Sequence, residues 1–120
     1  MLREMCKSKI HGATITKTIL HYSGSIRIDA ALMEAADIVP YERVQIVNLN
    51  NGARLETYVV AARRGSGEIT LLGPAARTAE VGDRVHILSY CLVEDDEARK
   101  WKCRVVKVDE KNRIVKGSDK

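Results

Sequence analysis

The stretch "HYSGSIRID" (residues 21–29) places a glycine directly before a serine, with strand-forming residues on both sides. Gly-Ser is a dipeptide at which a chain can cut itself. The serine Oγ attacks the carbonyl of the preceding residue and the amide becomes an ester. Glycine there leaves the carbonyl unshielded and tolerates strained dihedrals. The ester then eliminates to dehydroalanine, and hydrolysis with loss of ammonia leaves a pyruvoyl group. That group is a ketone beside an amide carbonyl. It condenses with an amine and draws electrons from the attached α-carbon, as pyridoxal phosphate does. The plainer alternative is a hairpin turn between two strands, Thr14–Tyr22 and Ser25–Asp29.

The dipeptide occurs three times, at 24–25, 65–66 and 117–118. Gly117-Ser118 falls in the tail "GSDK", which reads as frayed. Gly65-Ser66 lies in "RGSG", which reads as an exposed turn. Gly24-Ser25 alone has strand-like flanks able to clamp the bond, so it is the candidate cleavage point.

The elements that would position it are mainly strands. "RVQIVNL" (43–49) and "RLETYVVAA" (54–62) flank "NNG" (50–52), a strong hairpin signal. "RRGSGE" (63–68) turns into "ITLLG" (69–73), and "EVGD" (80–83) opens "RVHILSYCLV" (84–93). "RVVKV", the turn "DEKN" and "RIV" make a last hairpin over 104–115. Asp29 is suited to cap a short helix over 30–37, where Leu32, Met33 and Ala36 recur at helical spacing. "PAARTA" (74–79) is long enough for one helical turn, and "EDDEARK" (94–100) reads as a short helix or a solvated loop, the loop being the first reading. Many short strands with regular turns predict a small β-barrel with short helices.

Composition narrows the function. The chain has 120 residues, enough for a single domain (1–120) with its own core. No apolar run approaches the roughly 20 residues that span a bilayer. "MLREMCKSKI" has no apolar segment of a signal peptide, so the expectation is a cytoplasmic protein with no membrane partner. Cys6, Cys91 and Cys103 form no C-x-x-C pair and read as reduced thiols; no His pair has metal spacing, so no metal is expected. The net charge of +4 permits nucleic acid or an anionic substrate. The basic residues are scattered, however, and aromatics make up only 4%, too few for a stacking platform. Nucleic acid is therefore not the expected partner.

The chain resembles the bacterial pyruvoyl-dependent aspartate 1-decarboxylases. The matching stretches are "KIHGATIT" (9–16), "LHYSGSIRID" (20–29), "NNGARLETY" (50–58), "RGSG" (64–67), "LGPAA" (72–76), "VGD" (81–83) and "VDEKNRIV" (108–115). The resemblance implies a double-psi β-barrel and a homotetramer with active sites between subunits. It implies a zymogen cleaved between Gly24 and Ser25 into 1–24 and 25–120, with or without a maturation helper. The implied reaction is decarboxylation of L-aspartate at the α-carboxylate to β-alanine, for pantothenate and coenzyme A synthesis. Two readings from other classes stand beside it: an uncleaved structural or regulatory relative, and a small basic β-barrel that binds nucleic acid.

The resemblance also assigns roles. Ser25 becomes the pyruvoyl group, the sole cofactor. Tyr58 holds the proton-donor position; a phenol with an ordinary pKa near 10 stays protonated and ready to donate. Thr57 polarises the Gly24 carbonyl during cleavage and touches substrate. Arg54 can grip a carboxylate through two parallel hydrogen bonds, and Lys9 adds a point charge. Both are assigned to the carboxylate that is retained, since pairing the departing one would stabilise the ground state. His11 and Tyr22 line the site, while Gly73, Pro74 and Ala75 present backbone to the substrate. Residue 12 is Gly where the family usually has Arg. Residue 72 is Leu where it usually has Asn, and Leu brings no side-chain hydrogen bond.

Overall fold

The computed structural model describes residues 1–115, so the tail dipeptide Gly117-Ser118 lies outside the described residues. The strands are β1 (Leu2–Thr14), β2 (Lys17–Ile19), β3 (Ile26–Asp29), β4 (Arg43–Asn48), β5 (Arg54–Ala62), β6 (Ile69–Leu72), β7 (Arg84–Glu94) and β8 (Arg104–Lys107). Between them lie helix α1 (Ala30–Ala35), a 3₁₀ turn (Gly73–Thr78) and helix α2 (Asp95–Ala98). The strands form one mixed sheet in the order β2-β6-β3-β5-β4-β7-β1-β8. Among the described residues its two edge strands, β2 and β8, are not hydrogen-bonded to each other.

Most of these elements follow from local sequence. Asn-Asn-Gly joins β4 to β5 as an antiparallel hairpin. Asn48 Oδ1 accepts from the Asn50 N–H at 2.8 Å, and Gly52 supplies φ +76°. Val44 and Ile46 turn inward while Arg43 points out, the period of two that a half-buried strand requires. The last hairpin forms through the Val108–Ile114 bridge, with Asn112 at its turn. Asp29 caps α1 by accepting from Ala31 N–H at 2.8 Å. The same carboxylate accepts from the N–H groups of Gly65 and Gly67, each at 2.9 Å, and so fastens the "RGSG" turn to β3. The Gly65-Ser66 dipeptide is thus a turn, as its sequence indicates.

Three local features depart from the sequence reading or were not marked by it. "EDDEARK" holds the short helix α2 rather than a solvated loop; Arg99 and Arg3 both pair with Asp95 there. Residues 2–14 form the longest strand, although Lys7, Ser8, Lys9 and Gly12 interrupt any simple alternation. β1 accommodates them with register shifts after Cys6 and after Ile10. Finally, Gly24-Ser25 is not a hairpin turn. β2 and β3 lie on opposite sides of β6, parallel and antiparallel to it respectively. The extended run expected over Thr14–Tyr22 stops at Ile19, and residues 20–25 cross over the end of β6 instead.

One apolar core holds the sheet together. It draws Ile10 from β1, Ile26 and Ile28 from β3, Val44 and Ile46 from β4, Val59 from β5, Ile69 and Leu71 from β6, Val85 and Ile87 from β7, and Val106 from β8. Leu32 and Met33 of α1 close one end. A single core fed by seven strands means that the sheet curls around its inner face.

Candidate active site

The site arises from a mismatch in strand length. β3 pairs with β5 in parallel only from the Ile26–Val59 rung onward. Residues 54–58 of β5 therefore have β4 on one side and no strand on the other. The crossing chain enters this gap. Ser23, Gly24, Ser25, Leu55, Glu56, Thr57, Tyr58, Leu72, Pro74, Ala75 and Thr78 surround a cavity of about 400 Å³ there. Because Ile26 stands opposite Val59, Ser25 and Tyr58 each occupy the position just before the first rung.

Ser25 is buried, with φ +101°, and Gly24 has φ +138°. A serine held in that region stores roughly 1–3 kcal/mol of strain. Its surroundings enforce it. The Ser25 carbonyl accepts from Leu72 N–H at 2.9 Å. On the other side, Gly73 packs against the crossing chain. A Cβ at Gly73 would lie 2.7 Å from the Tyr22 carbonyl oxygen, 2.8 Å from Gly24 N and 2.9 Å from Gly24 Cα. Only a residue without a side chain leaves room for the bond. The cavity therefore holds a strained Gly-Ser bond, a threonine hydroxyl and a tyrosine. Those are the kinds of group that backbone self-cleavage and proton delivery require.

Tyr58 projects from β5 with 38% of its surface exposed, and its ring stacks on Tyr41 with centroids 6.1 Å apart. Alternation places Arg54, Glu56 and Tyr58 on the outer face of the sheet. Lys9 and His11 flank the core residue Ile10 and share that outer face. Rungs connect them: Arg54 pairs with Val47, and Val47 with His86. His86 stacks on His11 with centroids 4.2 Å apart, and its Nδ1 accepts from Gly12 N–H at 3.1 Å. Burial, then Lys9, His11 and Arg84, push His86 down to about 4. Burial, then Lys9, Lys107 and Arg84, lower His11. Both imidazoles are thus neutral at pH 7 within a cationic patch. A second recess of about 390 Å³ is lined by Glu4, Glu42, Arg43, Gln45 and Glu56 among others. Its carboxylates suit an anionic substrate poorly.

A family model described as aspartate decarboxylase matches residues 1–115. The chain belongs to the aspartate decarboxylase family. The aspartate 1-decarboxylase of Carboxydothermus hydrogenoformans is 53% identical over 120 residues, all of this chain and 94% of that protein. That of Syntrophus aciditrophicus is 56% identical over 114 residues, 95% of this chain and 98% of the relative. That of Caldicellulosiruptor saccharolyticus is 54% identical over all 120 residues and 94% of its own length.

Within this aspartate decarboxylase the residues singled out by sequence divide into two groups. Gly24, Ser25, Thr57, Tyr58, Pro74 and Ala75 converge on one cavity, with Gly73 supporting its wall. Lys9, His11 and Arg54 lie outside the cavity lining, and Arg54 instead donates to Gln45 Oε1 at 2.8 Å. Tyr22 is half exposed on the crossing segment. Sequence reasoning missed Glu56, Leu55, Thr78 and Tyr41. Glu56 was detectable, because it lies between Arg54 and Tyr58 on the same strand face. Tyr41 follows a proline in a turn, where no periodicity marks it.

The departure at residue 12 has a structural reason. Gly12 has φ +77°, and a Cβ there would lie 2.8 Å from Arg84 Nη2. The Arg84 guanidinium donates through Nε and Nη2 to the Gly12 carbonyl, at 2.8 and 2.6 Å. Arg84 thus brings a guanidinium next to residue 12 from the neighbouring strand.

Proposed function

We propose that this chain is a self-processing zymogen that cleaves between Gly24 and Ser25 and then decarboxylates L-aspartate at the α-carboxylate to β-alanine and carbon dioxide, the precursor step for pantothenate and coenzyme A. The observation that carries the proposal is the pair of positive φ angles at Gly24 and Ser25, clamped between Leu72 N–H and Gly73. Strain on the amide side of the exchange favours the ester, and Thr57 supplies a hydroxyl in the same cavity to donate to the Gly24 carbonyl, whereas the Thr78 hydroxyl there donates to the Ala75 carbonyl. A pyruvoyl group at residue 25 would supply the electron sink for the reaction. The fit is good: residue 25 is buried beside a cavity whose lining is partly apolar through Leu55, Leu72, Pro74 and Ala75, and a departing carboxylate gains from apolar surroundings. Tyr58 returns a proton to the substrate α-carbon.

Lys9 and Arg54 bind the retained carboxylate, and they do so from different subunits of a homotetramer. In one chain they stand on β1 and β5, with β7 and β4 between them. Three strand spacings amount to about 14 Å. Their backbones are thus separated within one chain, and a neighbouring subunit that supplies one of them would bring both cations to one substrate. The curl of the sheet around a single core is what supports a double-psi β-barrel reading, while the edge strands β2 and β8 are not hydrogen-bonded to each other. No helix among the described residues is long and apolar enough to cross a membrane.

Ser25→Ala and Ser66→Ala test the choice of bond. Denaturing intact mass is expected to give fragments 1–24 and 25–120 for wild type and Ser66→Ala, and one uncleaved chain without decarboxylase activity for Ser25→Ala. Normal cleavage in Ser25→Ala would overturn the assignment. An uncleaved wild type, with or without cell extract to supply a helper, would favour the structural or regulatory relative instead.

A further inference from the structure

The three cysteines look unrelated in sequence, yet the fold brings two of them together. Cys6 Sγ and Cys103 Sγ lie 3.3 Å apart. β1 and β8 run parallel from the Ser8–Arg104 rung, so in a regular ladder Cys103 would face Lys7 rather than Cys6. The register shift between Cys6 and Ser8 breaks that alternation and lets the thiols meet. The segment entering β8 is anchored beside them, because the Trp101 indole Nε1–H donates to the Cys6 carbonyl at 2.7 Å. Both cysteines are partly exposed, so an oxidant can reach them.

We propose that Cys6 and Cys103 are an oxidisable pair that closes an intramolecular disulfide, and that in the processed protein this bond ties residues 1–24 to residues 25–120. Cys6 belongs to the shorter product and Cys103 to the longer. Before oxidation no covalent bond joins that part of the short fragment to the rest; strand pairing with β7 and β8 and contacts such as Trp101 to the Cys6 carbonyl hold it in place. The crosslink itself does not depend on cleavage; only the tether rests on the processing proposed above.

With a peroxide as oxidant the chemistry balances. One thiolate attacks a peroxide oxygen, the O–O bond breaks, and a sulfenic acid and water result. The second thiol then displaces water from the sulfenic sulfur as the S–S bond forms. Two thiols and one hydrogen peroxide give one disulfide and two waters. Burial and the hydrogen bond to Cys103 push the Cys6 thiol up to about 12, so Cys6 waits protonated. Thiol pairs of this kind in reducing compartments are characteristically reversible sensors rather than permanent staples.

The test oxidises purified wild-type protein with hydrogen peroxide and reads it under denaturing, non-reducing conditions. The expected product runs as one species, lighter than the sum of the fragments by two hydrogens, and separates into two with dithiothreitol. Titratable thiols fall from three to one per chain, and tryptic mapping joins the Cys6 peptide to the Cys103 peptide. Cys6→Ser and Cys103→Ser abolish the crosslink, whereas Cys91→Ser retains it. The uncleaved Ser25→Ala chain separates the two ideas, since it must still lose two hydrogens and two thiols. Three persistent thiols, oxygen adducts in place of the crosslink, or linkage through Cys91 would overturn the proposal.

Discussion

The Leu72 main-chain N–H donates to the Ser25 carbonyl at 2.9 Å, while the next residue, Gly73, has its missing Cβ position occupied by Gly24 and Tyr22 backbone atoms. The end of β6 therefore grips both sides of the Gly24–Ser25 bond. Gly73→Ala should disrupt this grip. The new methyl meets backbone at 2.7–2.9 Å, and Gly73 itself has φ +69°, which an L side chain adopts at a cost. A destabilisation of about 1–3 kcal/mol at that point slows processing roughly ten- to hundredfold. A time course of intact mass measures it, with circular dichroism verifying the fold. Processing at the wild-type rate in a folded Gly73→Ala chain would show that the clamp does not drive cleavage.

Tyr58→Phe keeps the ring, its place on β5 and the stack on Tyr41, and removes only the hydroxyl. Cleavage should proceed normally, because Thr57 and the clamped backbone are untouched. Turnover by the cleaved protein should drop about 100-fold or more, the scale of a lost general acid. If turnover is unchanged, another group donates the proton, and His11 is the next residue to replace.

His86 predicts a pH dependence of stability. The unfolded imidazole takes a proton near 6.5, whereas the folded one does so only at about 4, because burial and then Lys9, His11 and Arg84 oppose its charge. Between those values the unfolded chain binds more protons. The contribution is whole above pH 6.5 and is lost as pH falls toward 4. Since His86 is only half-buried, the loss is on the order of 1 kcal/mol after solvent screening. His86→Gln retains a neutral acceptor for the Gly12 N–H and should flatten the urea midpoint across that window. An equally steep decline in the variant would place the effect on other groups.

Local signals carried most of the fold. Asn-Asn-Gly, the Asp29 cap and the alternation of Val85, His86 and Ile87 each specify their element without help from elsewhere. β1 was hidden because its lysines, serine and glycine are tolerated only through register shifts and two partner strands. The crossing at 20–25 was hidden for a related reason. Gly-Ser between strand-like runs signals a turn locally, and only the long-range placement of β6 between β2 and β3 makes it a crossover. The residue types at the bond were legible; the cradle that strains them depends on Gly73, which lies 49 positions from Gly24 in the chain. Likewise, sequence named Lys9 and Arg54 as the cations for a carboxylate but could not place them on strands with two others between.

The last prediction concerns Leu72. Its backbone holds Ser25, and its buried side chain contributes to the cavity lining. An amide there would stand beside the group formed at residue 25, as a donor for developing negative charge. Leu supplies only apolar bulk, and few nearby groups replace the donor. Thr70, two residues back on the same strand face, has its hydroxyl committed to Glu68 at 2.7 Å. Pro74, Ala75 and Ala76 have no polar side chains. Leu72→Asn should therefore raise the single-turnover rate of fully cleaved protein by up to ~10²-fold, as one preorganised donor can. It should also lower stability by about 1–3 kcal/mol, because an amide replaces buried leucine without complete hydrogen bonding. Cleaved protein is used so that a change in processing does not pose as a change in catalysis. The urea midpoint is followed separately to keep the packing cost apart from the rate. A cleaved, folded Leu72→Asn protein no faster than wild type would mean that leucine at this position is not a catalytic deficit, and that its contribution is the backbone hydrogen bond to Ser25.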